Sequence, residues 1–162
     1  PADDLIRIID AALEQGYAVN WSADVSEKGF RYNEGFAIVP VDKPEQVAGS
    51  DMAHWTGLTK EQLAKMSRKI SGPMPEKTIT QEMRQEAFDN YETTDDHGMV
   101  IVGTAHDQWG NKFYKVKNSW GETGKYKGFF YVSEPYVRYK TMNIMVNRAA
   151  VPQEIVGRFD RL

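Results

Sequence analysis

The amino-acid sequence predicts an α+β fold, built as an antiparallel β-sheet or half-barrel with an N-terminal helix and a helical insertion. Residues 3–15 place apolar side chains at helical spacing. Residues 97–147 contain four short strand-like segments separated by turn residues. Between these regions, residues 42–96 are polar and carry two helix start signals. Helices and strands that are grouped in this way are typical of an α+β domain.

The N-terminal helix is predicted from apolar residues that recur at i, i+3, i+4, i+7 and i+8, namely Leu5, Ile8, Ile9, Ala12 and Leu13. Gly16 is a suitable residue to end this helix. Residues 17–22 then alternate large and smaller side chains, which predicts a strand, and residues 35–41 predict a second short strand. Asp24 directly follows the first strand, so we expect it to act in a turn and assign it no chemistry.

The polar middle segment predicts two helices joined by a break. Thr59 and Gln62 have the spacing of a capping box, and Thr78 or Thr80 could start the second helix. We expect the segment to be an insertion within one domain that covers residues 1–162, because it is too short to hold an independent core.

The composition excludes several classes of partner and site. Charged residues make up 27% of the chain and the formal net charge is −3, so neither nucleic acid nor a membrane surface is expected as a partner. No window approaches the roughly 18 apolar residues of a membrane-spanning helix. The chain has no cysteine, so disulfides and thiolate sites cannot form within it. It begins at Pro1, and we expect that the native start, with any export signal, has been removed.

The strongest chemical signal lies on the first two strands of the C-terminal region. Strands are predicted there at residues 99–104, 112–118, 128–132 and 143–147. A hairpin centred between Gln108 and Trp109 would put His97, Asn118 and Trp120 on one face of the sheet, with the histidine opposite the tryptophan. His97 and Asn118 would then be diagonal neighbours, roughly 7–8 Å apart at Cα, and their side chains could meet.

An imidazole beside a carboxamide is the base-and-orienter half of a cysteine peptidase site. The oxygen of Asn118 can accept a hydrogen bond from one ring nitrogen of His97, which leaves the other nitrogen free for a nucleophile. Asparagine adds no charge, and this suits a thiol, which ionises readily beside an imidazolium. Trp120 could cover this bond and exclude water, which would strengthen it. The nucleophile itself is missing, because the chain has no cysteine.

Two segments resemble the histidine and asparagine motifs of papain-like cysteine peptidases: Asp96-His97-Gly98-Met99 and Lys117-Asn118-Ser119-Trp120-Gly121. Four longer segments are similar to the bleomycin hydrolase and aminopeptidase C branch of that family, namely TTDDHGMVIVG, DQWGNKFYKVKNSWGE, KGFFYVSEPYV and VNRAAVP. The early segment GYAVNWSADVSEKGF resembles the same branch. The resemblance covers nearly the whole chain.

The resemblance implies a two-lobed enzyme, in which this chain is the β-barrel-like lobe and a helical, cysteine-bearing lobe is its partner. It implies a cysteine aminopeptidase that hydrolyses peptide amide bonds through a thioester acyl-enzyme, without metal or organic cofactor. His97 is then the general base and acid, and Asn118 orients it. Trp120 shields the pair and borders the cleft, and the backbone of Asp96 lies close to the bound peptide. A cytoplasmic location and a hexameric ring are also implied, while an exported location stays open.

The chain departs from the family pattern at both ends. Only 96 residues precede His97 and none is a cysteine, whereas the histidine of papain-like enzymes lies roughly 130–150 residues after the nucleophile. We expect a truncated enzyme that is inactive alone; the alternative is a natural paralogue without cysteine that serves as a binding module. We also expect the C-terminal tail of this branch to be shortened, because the chain stops at Leu162, which leaves exopeptidase restriction and the hexamer open. A metal-dependent hydrolase that uses Asp95, Asp96 and His97 is a further alternative.

Overall fold

The computed structural model describes residues 1–41, 57–70, 72 and 74–159. The helices in these ranges are α1 (Ala2–Glu14), α2 (Lys60–Arg68), α3 (Gln81–Asp89), α4 (Glu134–Lys140) and α5 (Gln153–Phe159). The strands are β1 (Val19–Ala23), β2 (Phe30–Arg31), β3 (Phe36–Ala37), β4 (His97–His106), β5 (Lys112–Lys117), β6 (Phe129–Ser133) and β7 (Thr141–Met145). Short 3₁₀ helices span Tyr32–Glu34 and Arg148–Ala150. None of the helices described is long and apolar enough to cross a membrane.

The strands form a single curled sheet in the order β2-β3-β6-β5-β4-β1-β7. This half-barrel with its helices confirms the predicted α+β class. All neighbouring strands are antiparallel except β3 and β6, which are parallel. The parallel pairing of β3 with β6 was not among the predicted features of the sheet. Strand β3 takes its direction from its local hairpin with β2, and β6 joins it from far along the chain, so their relative direction is not set by any local turn.

The core lies between the sheet and α1, whose inner face buries Ala2, Ile6, Ile9 and Ala12. Trp21, at the centre of β1, is fully buried and its indole N–H donates to the hydroxyl of Thr141 at 2.7 Å. Burying one large apolar side chain of this kind stabilises a fold by roughly 1.5–3 kcal/mol. Met99 and Val116 belong to the same core. Because side chains alternate along a strand, residues two positions further on point to the same face, at the rim of this core.

In the N-terminal half, the predicted helices are confirmed, but one predicted strand is shorter than expected. The predicted first helix and the capping box of Thr59 and Gln62 are both confirmed. The second helix of the middle segment is capped by Thr80, whose hydroxyl accepts the N–H of Met83 at 3.2 Å. The strand predicted at residues 35–41 is confined to β3, since the chain leaves the sheet after two residues. Parts of the predicted insertion, at residues 42–56, 71 and 73, lie outside the described residues.

Sequence analysis missed β2, α4 and α5. Strand β2 has two residues, which is too short to show alternation. Helix α4 has seven residues and begins with a proline in its first turn, so it shows less than two turns of helical spacing. Its start is nevertheless well defined, because the hydroxyl of Ser133 accepts the N–H of Tyr136 at 3.2 Å.

Gly128 sits at a close backbone approach beside the end of β5. Its φ is +87°, and a Cβ there would lie 2.3 Å from the carbonyl oxygen of Gly121 and 2.5 Å from Nζ of Lys117. Its own carbonyl accepts the backbone N–H of Asn118 at 2.8 Å. Only glycine fits this position without strain or displacement of its neighbours.

We expect Gly128→Ala to lower the free energy of unfolding by about 3 kcal/mol, because left-handed strain and steric overlap add together. Gly110 is a matched control, since its φ is also +87° but a Cβ there would meet no atom of the described residues within 4 Å. Gly110→Ala should cost only about 1–2 kcal/mol, from the backbone strain alone. Urea unfolding of both variants measures the difference, and equal losses would contradict the assigned overlap.

Candidate active site

His97 is the first residue of β4, and Asn118 directly follows β5. Nε2 of His97 lies 2.7 Å from Oδ1 of Asn118. Because an amide oxygen can only accept, Nε2 donates and carries the proton. The hydroxyl of Ser119 lies 3.5 Å from the same nitrogen, at the limit of hydrogen bonding. No described residue hydrogen-bonds to Nδ1, so one ring nitrogen is fixed and the other keeps its lone pair for a further partner.

The pairing of β4 with β5 brings these two side chains together. At the site end of the hairpin, Val100 pairs with Lys117 and Ile101 with Val116. This is the predicted register, which sets the histidine and the asparagine on one face as diagonal neighbours. The prediction of this register is confirmed at the end of the hairpin that holds His97 and Asn118.

The predicted centre of the hairpin, in contrast, is wrong. The register shifts within β4, and beyond the extra residue Val102 the pairing continues with Gly103 opposite Lys115. The hairpin is therefore centred on Trp109 and not between Gln108 and Trp109. A β-bulge of this kind adds one residue to one strand and moves its later side chains to the other face. The turn at Trp109 shifts the pairing by one residue from the predicted register, and the extra residue Val102 shifts it back. Sequence spacing therefore predicted the correct register at the end of the hairpin that holds His97 and Asn118.

Asn118 is held in place by its backbone as well as by its side chain. It is 2% exposed, and its N–H donates to the carbonyl of Gly128 at 2.8 Å. Its Nδ2 group is buried and has no hydrogen-bond partner among the described residues. A buried unpaired donor costs roughly 1–3 kcal/mol. Asn118 therefore stabilises the orientation of His97 more clearly than it stabilises the fold.

The ring of Trp120 lies against the imidazole of His97, with centroids 4.6 Å apart and the planes tilted by 36°. The indole is in turn held edge-on by Tyr32 and Phe30, at centroid distances of 5.0 and 6.3 Å. The hydroxyl of Tyr32 donates to the carbonyl of Thr123 at 2.9 Å, which fixes the loop that carries the tryptophan. Trp120 remains 46% exposed, so one of its sides faces solvent beside the histidine.

Asp96 lies next to the histidine and is tied to the end of β1. Its Oδ1 accepts the backbone N–H of Val25 at 2.9 Å. Asp24 faces it from that end, with Oδ1 accepting the N–H of Ser26 at 2.8 Å and Oδ2 accepting the N–H of Thr94 at 3.0 Å. The turn role predicted for Asp24 is confirmed by its bond to Ser26. Its link to the segment before the histidine was not predicted, because no local spacing signals it.

The two carboxyl groups have opposite pKa shifts. Burial disfavours the charge of Asp24, but hydrogen bonds from Ser26 and the backbone and the charge of Lys140 outweigh it, so the pKa of Asp24 is lowered. Burial raises the pKa of Asp96 above its ordinary value, and the neighbouring Asp24 carboxyl raises it further. The backbone hydrogen bond and the charge of His97 act in the other direction but do not cancel this shift.

The side chains of the alternative metal site do not converge. The carboxyl of Asp95 accepts a hydrogen bond from Nδ2 of Asn143 at 3.3 Å. The carboxyl of Asp96 accepts the backbone N–H of Val25, just after β1, and the ring of His97 contacts Asn118, just after β5. Three consecutive residues with three separate partners favour the histidine–asparagine interpretation over a common metal centre.

The comparisons with known proteins agree with the fold and identify the family of the chain. The Peptidase C1-like family matches residues 48–161, and the chain belongs to that family. Aminopeptidase C of Lactobacillus helveticus is 27% identical over 77 residues, which are 48% of this chain and 17% of that protein. Aminopeptidase W of Lactobacillus delbrueckii subsp. lactis is 37% identical over 60 residues, which are 37% of this chain and 14% of that protein. The predicted resemblance to papain-like cysteine peptidases of the aminopeptidase C branch is confirmed.

A solved structure shows the same fold over nearly the entire chain. The crystal structure of PepW from Lactobacillus rhamnosis HN001 (DR20) superposes with a TM-score of 0.62 at 19% identity, and the match covers 98% of this chain. It covers only 29% of the PepW chain. The chain thus spans less than a third of the length of the relatives it matches, and the similarity to bleomycin hydrolase in particular stays a prediction.

We expect Asn118→Ala to leave the free energy of unfolding within about 1 kcal/mol of the native value, because the lost hydrogen bond is offset by removal of the unpaired Nδ2 group. The same substitution should free the ring of His97, which nuclear magnetic resonance detects as faster exchange of its Nε2 proton. Asn111→Ala is a useful comparison, since that amide is paired with Asp107 at 3.0 Å. A large loss of stability in Asn118→Ala alone would show that the asparagine is mainly structural.

Proposed function

We propose that this chain is the histidine- and asparagine-bearing lobe of a cysteine aminopeptidase. The observation that carries the proposal is the 2.7 Å contact between Nε2 of His97 and Oδ1 of Asn118, which leaves Nδ1 without a partner among the described residues. This arrangement suits a base that exchanges a proton with a nucleophile at Nδ1 while its other nitrogen is held by an uncharged acceptor. The family of the chain supports a thiol as that nucleophile.

The nucleophile must come from outside this chain, because none of the 162 residues is a cysteine. The relatives are several times longer than the matched region, which supports a second lobe that carries the thiol. In this proposal the peptide lies between the lobes, with Trp120 at its border and the backbone of Asp96 beside it. The exposed side of Trp120 is compatible with this position.

The chemistry proceeds in two steps. The thiolate attacks the carbonyl carbon of the scissile amide, and the protonated imidazole of His97 gives its Nδ1 proton to the leaving nitrogen, so that the C–N bond breaks and a thioester remains. The neutral ring then takes a proton from water through Nδ1. The hydroxide equivalent attacks the thioester, the C–S bond breaks, and the carboxylic acid and thiolate are released.

Asn118 assists both steps in the same way, because its Oδ1 accepts the hydrogen bond from Nε2–H of His97 throughout. Because the asparagine has no charge, it does not favour the imidazolium over the neutral ring as strongly as a carboxylate would. The ring can therefore alternate between the two forms. The names of the relatives, aminopeptidase C and aminopeptidase W, support removal of amino-terminal residues from peptides as the reaction class.

The test uses an aminoacyl-coumarin substrate with the longer protein and with the chain alone. The chain alone should release no fluorophore. In the longer protein, His97→Ala should reduce kcat/KM by about 10³-fold or more, since both proton transfers are lost. Asn118→Ala should reduce it by about 10²-fold through misorientation of the ring.

His106→Ala is the matched control, because His106 is an exposed histidine at the far end of the same strand. Its activity should equal that of the native protein. Hydrolysis by the chain alone that is lost in His97→Ala would contradict the proposed division between lobes. A coding sequence upstream of Pro1 without a cysteine would favour the binding-module alternative instead.

A further inference from the structure

Two carboxyl groups connect the segment that leads into His97 with the loop after β1, and each segment contributes one of them. The carboxyl of Asp24, after β1, accepts the N–H of Thr94 at 3.0 Å. The carboxyl of Asp96, before β4, accepts the N–H of Val25 at 2.9 Å. Each segment thus supplies one carboxylate and one N–H to the other. We call these four groups the carboxylate clamp.

Asp24 is the more firmly held half of the carboxylate clamp. It is 1% exposed, and its Oδ1 accepts both the N–H and the hydroxyl of Ser26, at 2.8 and 2.6 Å. Its backbone carbonyl accepts the hydroxyl of Tyr136, on α4, at 2.8 Å. The clamp is therefore attached to the core through Asp24, and through Asp96 it reaches the start of β4.

The charges around the pair come from three directions. Lys140 of α4 acts favourably on Asp24, but its Nζ also lies 2.5 Å from a carboxyl oxygen of Glu27. His97 acts favourably on Asp96 from β4. Asp95 and Tyr136 complete the titratable groups nearby, the former bound to a side chain of β7. The like charge of Asp24 also acts on Asp96 and raises its pKa.

We propose that Asp24 is a positioning residue for His97 that acts through the carboxylate clamp it forms with Asp96. The inference deepens the proposed function and rests on it for the catalytic role of the histidine. The clamp fixes the chain immediately before the first residue of β4, a position that strand pairing cannot hold from its N-terminal side. A His97 ring that is fixed in this way is already oriented toward Asn118, so less conformational entropy is lost when the two side chains bond.

The sign of each pKa shift sets the order of events on acidification. The pKa of Asp96 is raised, so this arm of the clamp is neutralised first, and a neutral carboxyl is the weaker acceptor. The pKa of Asp24 is lowered, so its stabilising bonds are present above its unfolded value and are lost only as the pH falls through the folded value. The Asp24 arm therefore outlasts the Asp96 arm.

The test is a carboxyl ¹³C titration of the 162-residue chain and its Asp24→Asn variant. In the native chain Asp96 should titrate above its ordinary value and Asp24 below it. In Asp24→Asn the midpoint of Asp96 should fall, because the like charge is gone. Exchange of the Nε2 proton of His97 should rise by about tenfold, the effect expected when one hydrogen bond is lost.

Asp107→Asn is the matched control, since Asp107 holds the turn at the far end of the hairpin through the N–H groups of Trp109 and Asn111 at 2.9 Å. It should leave the Asp96 midpoint and the His97 exchange rate unchanged. An unchanged Asp96 midpoint or His97 exchange rate in Asp24→Asn overturns the proposal.

If Asp24→Asn does not fold, Ser26→Ala decides, because it removes only the hydroxyl bond to Asp24. The midpoint of Asp24 should then rise, because it loses a hydrogen bond that lowers its pKa, and the Nε2 exchange rate of His97 should rise with it. A His97 exchange rate that stays at its native value overturns the proposal. The titration requires no peptidase activity. Failure of the hydrolysis test and failure of this inference are therefore separate results.

Discussion

The pairing of β4 with β5 is the constraint on which the rest of the site depends. The histidine and the asparagine are neighbours only in the register observed at that end of the hairpin, and a slip of one residue would turn one of them to the opposite face. The bulge at Val102 makes this register compatible with the turn at Trp109. The core contributes as well, because Met99 and Val116 occupy the buried face and make a slip costly.

The site shows a conflict between stability and orientation. Asn118 buries an Nδ2 group that no described residue pairs with, and a fold selected only for stability would avoid such a donor. The oxygen of the same side chain fixes the ring of His97 at 2.7 Å. The chain thus accepts an unfavourable buried donor in order to hold an acceptor beside the histidine, and such conflicts with local stability are typical of functional sites.

The parts of the structure that sequence analysis predicted are those encoded by short-range patterns. Helix α1, the Thr59 capping box and the β4–β5 register each depend on residues close in sequence. The parallel pair of β3 and β6 and the short α4 depend on tertiary contacts, which spacing alone does not reveal. The same reason explains Asp24. Its turn was predicted from its position directly after β1, but its bond to Thr94 joins positions 70 residues apart.

The position of His97 explains why so many groups surround it. As the first residue of β4 it has strand pairing with Ala23 on one side but no preceding strand residue to hold it. Strand ends fray most easily, because fewer hydrogen bonds oppose their opening. The three supports of the histidine therefore come from different elements. The carboxylate clamp restrains the chain before it, Asn118 holds its Nε2 atom from β5, and Trp120 packs against its ring. Only Nδ1 is left without such a support among the described residues, and it is the atom that the proposed chemistry requires.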